Sequence, residues 1–277
     1  MRSARVLSVR VPGGRRLTGH AWAGEGAPLV LLHGLLDSSE GWDALVARTD
    51  RPCIALDLNG FGRSDLPIAP RIEAYALDVA AVLERLRVED ATLVGHSLGG
   101  AVAAHVVERT ERVDELALLA PAGFGRIVLA EALTLPVVVD LATAALPLAL
   151  VNPLTVTAMY STFVAHRKLP ERELIARLRS RARRAPLAVR FATQAIAHAG
   201  RNLPGRIDFD GPVRALWGAQ DALVPVAHHH AVRRAFPQAE VEVWPGMGHH
   251  PQRERPRRLA HFLTGDCLPP QPVRRAA

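Results

Sequence analysis

The chain has 277 residues, 49% of them hydrophobic and 22% charged, enough for a large buried core and incompatible with disordered, collagenous or coiled-coil classes. The net charge of +7 would suit an anionic partner, yet the arginines are dispersed, Lys168 is the single lysine and aromatics make up only 5%, so no nucleic-acid surface is expected. Two cysteines, Cys53 and Cys267, cannot build a disulfide framework, and residues 1–14 hold no apolar stretch of the kind a secretory signal needs, so a cytoplasmic address is expected.

In chain order, residues 4–11 and 16–23 read as extended segments around the turn Pro12-Gly13-Gly14, which predicts an N-terminal β-hairpin. Residues 28–32 are continuously apolar, as in a strand covered on both faces of a parallel sheet. Further strands are predicted at 53–56, 91–94, 115–119, 213–217 and 240–243. Helical patterns at 72–86, 100–109 and 226–236 separate most of them, and this alternation predicts a mostly parallel, doubly wound α/β sheet with right-handed crossovers.

Between residues 121 and 204 the alternation fails. No strand pattern occurs there, and prolines at 136, 147, 153, 170 and 186 divide an Ala-, Leu- and Val-rich stretch into several short helices inserted as a lid. The expected organisation is a core of residues 1–120 and 205–264, a lid over 121–204 and a loosely attached tail over 265–277. Residues 133–151 are apolar, but Asp140, Pro136 and Pro147 favour a helix pair lining a pocket over a membrane span. Residues 171–184 predict a helix whose second half carries Arg177, Arg179, Arg181, Arg183 and Arg184. Such a run reads as a solvated face or, in the alternative, as a contact for anionic lipid.

The strongest motif is Gly95-His96-Ser97-Leu98-Gly99, set directly between a predicted strand and a predicted helix. A serine at such a turn is held in a strained conformation with its hydroxyl exposed, and the flanking glycines let strand and helix approach closely. Serine is a weak nucleophile and needs a base, which in turn needs an orienting acid. Asp221, in Trp217-Gly-Ala-Gln-Asp221, and His249, in Pro245-Gly-Met-Gly-His249, each follow the carboxyl end of a predicted strand, the edge of a parallel sheet where Ser97 also belongs. Asp114, Asp208 and Asp210 precede their strands and are poor candidates for the acid. His250 rivals His249 for the base.

The second oxyanion donor is expected from His33-Gly34-Leu35-Leu36, through the Leu35 backbone N–H converging with that of Leu98. His33 and His96 read as packing and hydrogen-bonding residues. The turn Asp57 to Ser64 has two glycines but no phosphate-binding signature, and reads as a support for the His33 loop. His228-His229-His230 point three ways on a helix and make a poor metal site.

Taken in order, His33-Gly34, Asp57 to Ser64, Gly95 to Gly99, Asp221 and His249 resemble the α/β-hydrolase superfamily. The resemblance implies that fold with a helical lid. It also implies the base: in that family G-x-G-H-x-P carries the catalytic histidine, and Gly246-Met-Gly-His249-His-Pro251 matches it at His249, leaving His250 at the variable position. Similarly, Gly218 to Pro225 matches G-x-x-D-x-x-x-P and supports Asp221. Asn59 stands where relatives often have proline, a departure expected to alter the turn and not the chemistry. Haloalkane dehalogenases and epoxide hydrolases of this superfamily use an aspartate where Ser97 stands.

The resulting expectation is a serine esterase acting on a small-molecule ester with an apolar acyl or alcohol group, with no metal or organic cofactor. A perhydrolase or a carbon–carbon bond hydrolase would share the triad, and a non-catalytic binding protein would share the scaffold.

Overall fold

The computed structural model describes residues 2–161, 172, 174–176 and 185–264. Its hairpin strands β1 (Ala4–Arg10) and β2 (Arg16–Trp22) pair antiparallel, and β2 pairs antiparallel with β4 (Cys53–Leu56). The remaining neighbours are parallel: β3 (Leu29–Leu32), β5 (Ala91–His96), β6 (Val113–Leu119), β7 (Val213–Gly218) and β8 (Glu240–Trp244). The eight-stranded order is β1-β2-β4-β3-β5-β6-β7-β8, so the chain winds outward in both directions from β3. The mostly parallel doubly wound sheet is therefore the one that the alternation of elements predicts.

The two-residue period of a strand sorts successive side chains to opposite faces. Val30, Leu32 and Leu93 join one cluster, with Tyr75 and Val79 of α2 (Ile72–Leu86) and Val102 of α3 (Leu98–Val106). Leu29, Leu31 and Val94 join the other, with Trp42, Leu45 of α1 (Asp43–Val46) and Trp244. All residues of β3 and β5 are buried, which is why their sequences read as continuous apolar runs.

Between β6 and β7 lie α4 (Val128–Ala132), α5 (Pro136–Val151), α6 (Pro153–Met159) and α7 (Ala185–Arg201). The expectation of short helices needs correction, because α5 and α7 have 16 and 17 residues. Pro147 lies inside α5 and does not divide residues 133–151 into a helix pair. It removes one backbone hydrogen bond, but α5 packs along α7 and α6, and tertiary packing outweighs that local penalty. No helix among the described residues is long and apolar enough to cross a membrane. The arginines at 177, 179, 181, 183 and 184 and the tail over 265–277 lie outside the described residues.

The chain closes with α8 (His229–Ala235), α9 (Pro251–Glu254) and α10 (Pro256–Thr264). The predicted helix over 226–236 starts as a 3₁₀ turn, Val226–His228, which divides the histidine run between two elements. His228 packs against Gly125, where a Cβ would lie 2.3 Å from its ring, and so serves the base of the insertion.

Candidate active site

Ser97 sits between the last residue of β5 and the first of α3, at φ 53° and ψ −114°. Such a left-handed conformation is costly for a side chain with a Cβ and persists only where the surroundings over-determine it. Here the backbone does so: Ser97 N donates to Leu119 O at 2.9 Å, and Ser97 O accepts from Gly100 N at 2.9 Å and Ala122 N at 3.0 Å. The turn is also crowded, since a Cβ on Gly99 would lie 2.2 Å from Leu32 O.

Asp221 lies three residues beyond β7. Its Oδ1 accepts from the Leu223 and Val224 amides at 2.8 and 2.9 Å, and its Oδ2 lies 2.7 Å from His249 Nδ1. Burial alone would raise the Asp221 carboxyl, but the facing His249 ring and the two amides outweigh it and hold the group below the usual carboxylate range. A carboxylate accepts only, so Nδ1 of His249 donates to it, and in the neutral tautomer Nε2 is the acceptor. The loops that carry the two residues are themselves joined: Gln220 N donates to Met247 O at 2.9 Å, and Met247 N to Gln220 Oε1 at 3.0 Å.

Of the two adjacent histidines, His249 is the one hydrogen-bonded to Asp221. The ring of His250 faces Gln252. Ser97 and His249 both abut His96: its ring centroid is 4.7 Å from that of His249, and a Cβ on Gly34 would lie 2.8 Å from His96 Nδ1 and 3.2 Å from Ser97 Cβ. Among the described residues no hydrogen bond joins Ser97 Oγ to His249; the bond on that ring is the one to Asp221.

His33 and His96 are both fully buried and hydrogen-bonded. His33 Nδ1 lies 2.7 Å from Gly34 O, and its Nε2 accepts from Leu58 N at 3.0 Å, tying the His33 loop to the Asp57 turn. The carboxylate of Asp57 in turn accepts from Thr18 Oγ1 and Ser39 N. Asn59 is buried and donates to Asp78, which also pairs with Arg15 at 2.6 Å, so the residue at the family's proline position anchors the turn through its side chain. Asp114 is the second residue of β6 and does not precede it, but it still lies at the amino edge of the sheet, far from Ser97 along that strand.

A cavity of about 170 Å³ opens on Ser97. Most of its lining is apolar, Leu35, Leu129, Leu150, Val156 and Leu223 included, and Tyr160, Asp37, His250 and Arg253 line it as well. Nitrogen atoms of His96, His249 and His250 lie within 4.8 Å of one another, the spacing of a metal site. Those rings, however, already bond to the His249 carbonyl, to Asp221 and to Gln252.

The family pattern described as the alpha/beta hydrolase fold matches residues 27–256. The chain belongs to this family. An uncharacterised protein of Mycobacterium tuberculosis is 31% identical over 269 residues, covering 87% of this chain and 75% of that one. The dihydrolipoyllysine-residue acetyltransferase component of the acetoin cleaving system of Pseudomonas putida is 34% identical over 255 residues, covering 87% of this chain and 64% of that protein. Among solved structures, a thermophilic esterase from Thermogutta terrifontis superposes with a TM-score of 0.75 at 24% identity, covering 95% and 97% of the two chains, a likeness of fold.

Three supports of this α/β-hydrolase site escape sequence reading. Arg253 pairs with Asp37 at 2.9 Å, both buried, tying the helix after His249 to the loop after Leu35. The two residues are 216 positions apart, and no local pattern announces them. Glu254 accepts from Gly248 N at 2.9 Å and His250 N at 3.0 Å, bracing the backbone on both sides of His249. Its signal is legible afterwards: Pro251 opens a helix, and an acid one turn later can reach back to the preceding amides. Gln252 bridges His96 and His250 at 3.2 Å to each.

Proposed function

We propose that this α/β-hydrolase is a serine hydrolase of carboxylic esters, with Ser97 as nucleophile, His249 as base and Asp221 as orienting acid. The observation that carries the reading is the buried 2.7 Å contact between Asp221 and His249 Nδ1, which in the neutral ring leaves Nε2 as the acceptor, together with the strained backbone of Ser97. In the first step Ser97 Oγ bonds to the ester carbonyl carbon and its proton passes to His249 Nε2. The Leu35 and Leu98 amides hold the resulting oxyanion, one such donor being worth about 10²–10³ in rate. Collapse expels the alcohol, which takes the proton from His249. Water then attacks the acyl-enzyme with its proton passing to His249, and on collapse the bond from the acyl carbon to Ser97 Oγ breaks, Ser97 Oγ takes the proton back from His249 and the acid leaves.

The small cavity and its leucines support a substrate with a compact apolar group beside the scissile bond. The lid assignment over 121–204 is part of this proposal: Leu129, Leu150 and Val156, from the helices after β6, line the cavity. No covalent cofactor chemistry enters the scheme.

The test is intact-mass spectrometry after exposure to a fluorophosphonate, on the wild type and on Ser97→Ala, together with a p-nitrophenyl ester series from acetyl to long acyl chains. One adduct per chain that disappears in the variant, with turnover greatest for short chains, is the expected result. Absence of both labelling and turnover overturns the reading in favour of a non-catalytic scaffold.

A further inference from the structure

Two buried imidazoles beside Ser97 take no part in the scheme above, and their hydrogen bonds determine where their protons sit. His96 Nε2 lies 2.8 Å from the His249 carbonyl oxygen, which can only accept, so Nε2 of His96 carries a proton. Burial holds that ring neutral, its pKa down to about 3, and Nδ1 is therefore a bare acceptor. The Gln252 amide group stands 3.2 Å from Nδ1 and must present its NH₂ there, which assigns the amide's orientation.

That same nitrogen lies 3.2 Å from Nδ1 of His250. Its second N–H fills Nδ1, and since burial keeps His250 neutral too, the one ring proton resides on Nε2. The amide accepts a cost for holding both rings: Gln252 Oε1 is buried with no partner among the described residues. His250 lines the cavity together with Ser97. Asp37 and Arg253, which also line the cavity, bond to each other at 2.9 and 3.2 Å, Tyr160 lines it with its ring 6.3 Å from that of His250, and most of the remaining lining is hydrocarbon.

We propose that the Nε2–H of His250 is a hydrogen-bond donor to the substrate, held in that tautomer by Gln252, and that the preferred ester carries a second acceptor oxygen in the group that fills the cavity. The proposal rests on the hydrolytic reading and sharpens its substrate class from an apolar ester to an apolar ester bearing an ether, hydroxyl or carbonyl oxygen. A site with a built-in donor selects against an isosteric hydrocarbon, because that donor is left unsatisfied when such a chain displaces water. In this assignment His250 is a specificity residue and Gln252 a positioning residue that acts through it.

The experiment compares two matched pairs of p-nitrophenyl esters, pentanoate against 3-methoxypropanoate and hexanoate against 4-methoxybutanoate, each pair differing by one oxygen for a methylene. The readout is the ratio of kcat/KM within a pair, divided by the same ratio for hydroxide to remove intrinsic reactivity. In the wild type this selectivity should favour the oxygen-bearing member of at least one pair by about 10-fold. His250→Phe should erase it, His250→Gln, which returns an N–H near the Nε2 position, should restore most of it, and Gln252→Leu should lower it several-fold with His250 still present. A merely structural His250 would change both members of a pair together, and an unaltered ratio in His250→Phe overturns the proposal.

Independently, a two-bond ¹⁵N–¹H correlation spectrum of histidine-labelled wild-type protein should show His250 protonated at Nε2 only. A proton on Nδ1 overturns the assignment. Absence of any fluorophosphonate adduct and of any ester turnover would sink the hydrolytic reading instead, and the spectrum would then decide the donor assignment by itself.

Discussion

The strands of the sheet and the helices inserted after β6 are built from the same residue types and use them differently. Every leucine and valine of β3 is at most 1% exposed. In α5, by contrast, Val137 is 71%, Leu141 67% and Leu148 73% exposed, while Leu150, two residues on from Leu148, is 1% exposed and faces the cavity. An apolar residue in the sheet is a structural element wherever it stands, because both faces are covered. In the insertion its role depends on which way one helix turns it. Ser97, Asp221 and His249 sit on loops rooted in the rigid sheet, and the shape of the cavity at Ser97 depends on helices packed over it.

That division makes predictions. The largest effect is expected at the acid: Asp221→Asn should lower kcat for an ester substrate by about 10⁴-fold with little change in thermal unfolding, because it disturbs the tautomer of His249 and not the packing. A loss below about 10-fold in steady-state assays would remove Asp221 from that role.

Next comes Arg253→Ala, which leaves the Asp37 carboxylate buried without its guanidinium and should cost roughly 3–5 kcal/mol in urea unfolding. The double variant with Asp37→Ala should recover part of that loss, and equal losses in single and double variants would argue against the pair. Leu32→Ala, at 0% exposure in the sheet, should cost about 2–5 kcal/mol.

Acid should weaken the site's end of the molecule more gradually. His96 and His250 are held neutral by burial, so below the ordinary histidine value of 6.5 the unfolded chain binds protons that the folded one refuses. Stability then falls with falling pH, by about 1.4 kcal/mol per unit for each ring, and for His96 until its own pKa of about 3. Asp37, Asp57 and Asp221, held below 3.8, contribute stability above that value and lose it as pH falls through their lower folded values. Calorimetric melting between pH 8 and 4 measures the slope, and a flat profile below pH 6.5 would contradict neutral burial of the two rings. The smallest effect is expected at the exposed Leu148, where Leu148→Ser should change stability by no more than about 0.5 kcal/mol, whereas Leu150→Ala should shift KM. Equal effects at the two positions would erase the contrast between the faces of α5.

The sheet was legible because burial on both faces leaves continuous apolar runs, and residues 28–32 and 53–56 announce β3 and β4 almost to the residue. Helix α2 is likewise bounded as its periodicity predicts. The loops that carry Ser97, Asp221 and His249 were legible because each follows a strand directly and is marked by glycines. The continuity of α5 through Pro147 was not, because a proline's local cost is visible in sequence and the packing that offsets it is not.

By itself, then, the sequence determined the order of strands and helices, the strand ends on which chemistry can gather and the residue types placed there, since those follow from local periodicity and turn requirements. Only the tertiary structure set His249, and not His250, against Asp221, paired Asp37 with Arg253 across 216 positions and set Gln252 between two imidazoles. Each of these rests on hydrogen bonds between segments brought together by the winding of the sheet, and their distances have no counterpart in local sequence.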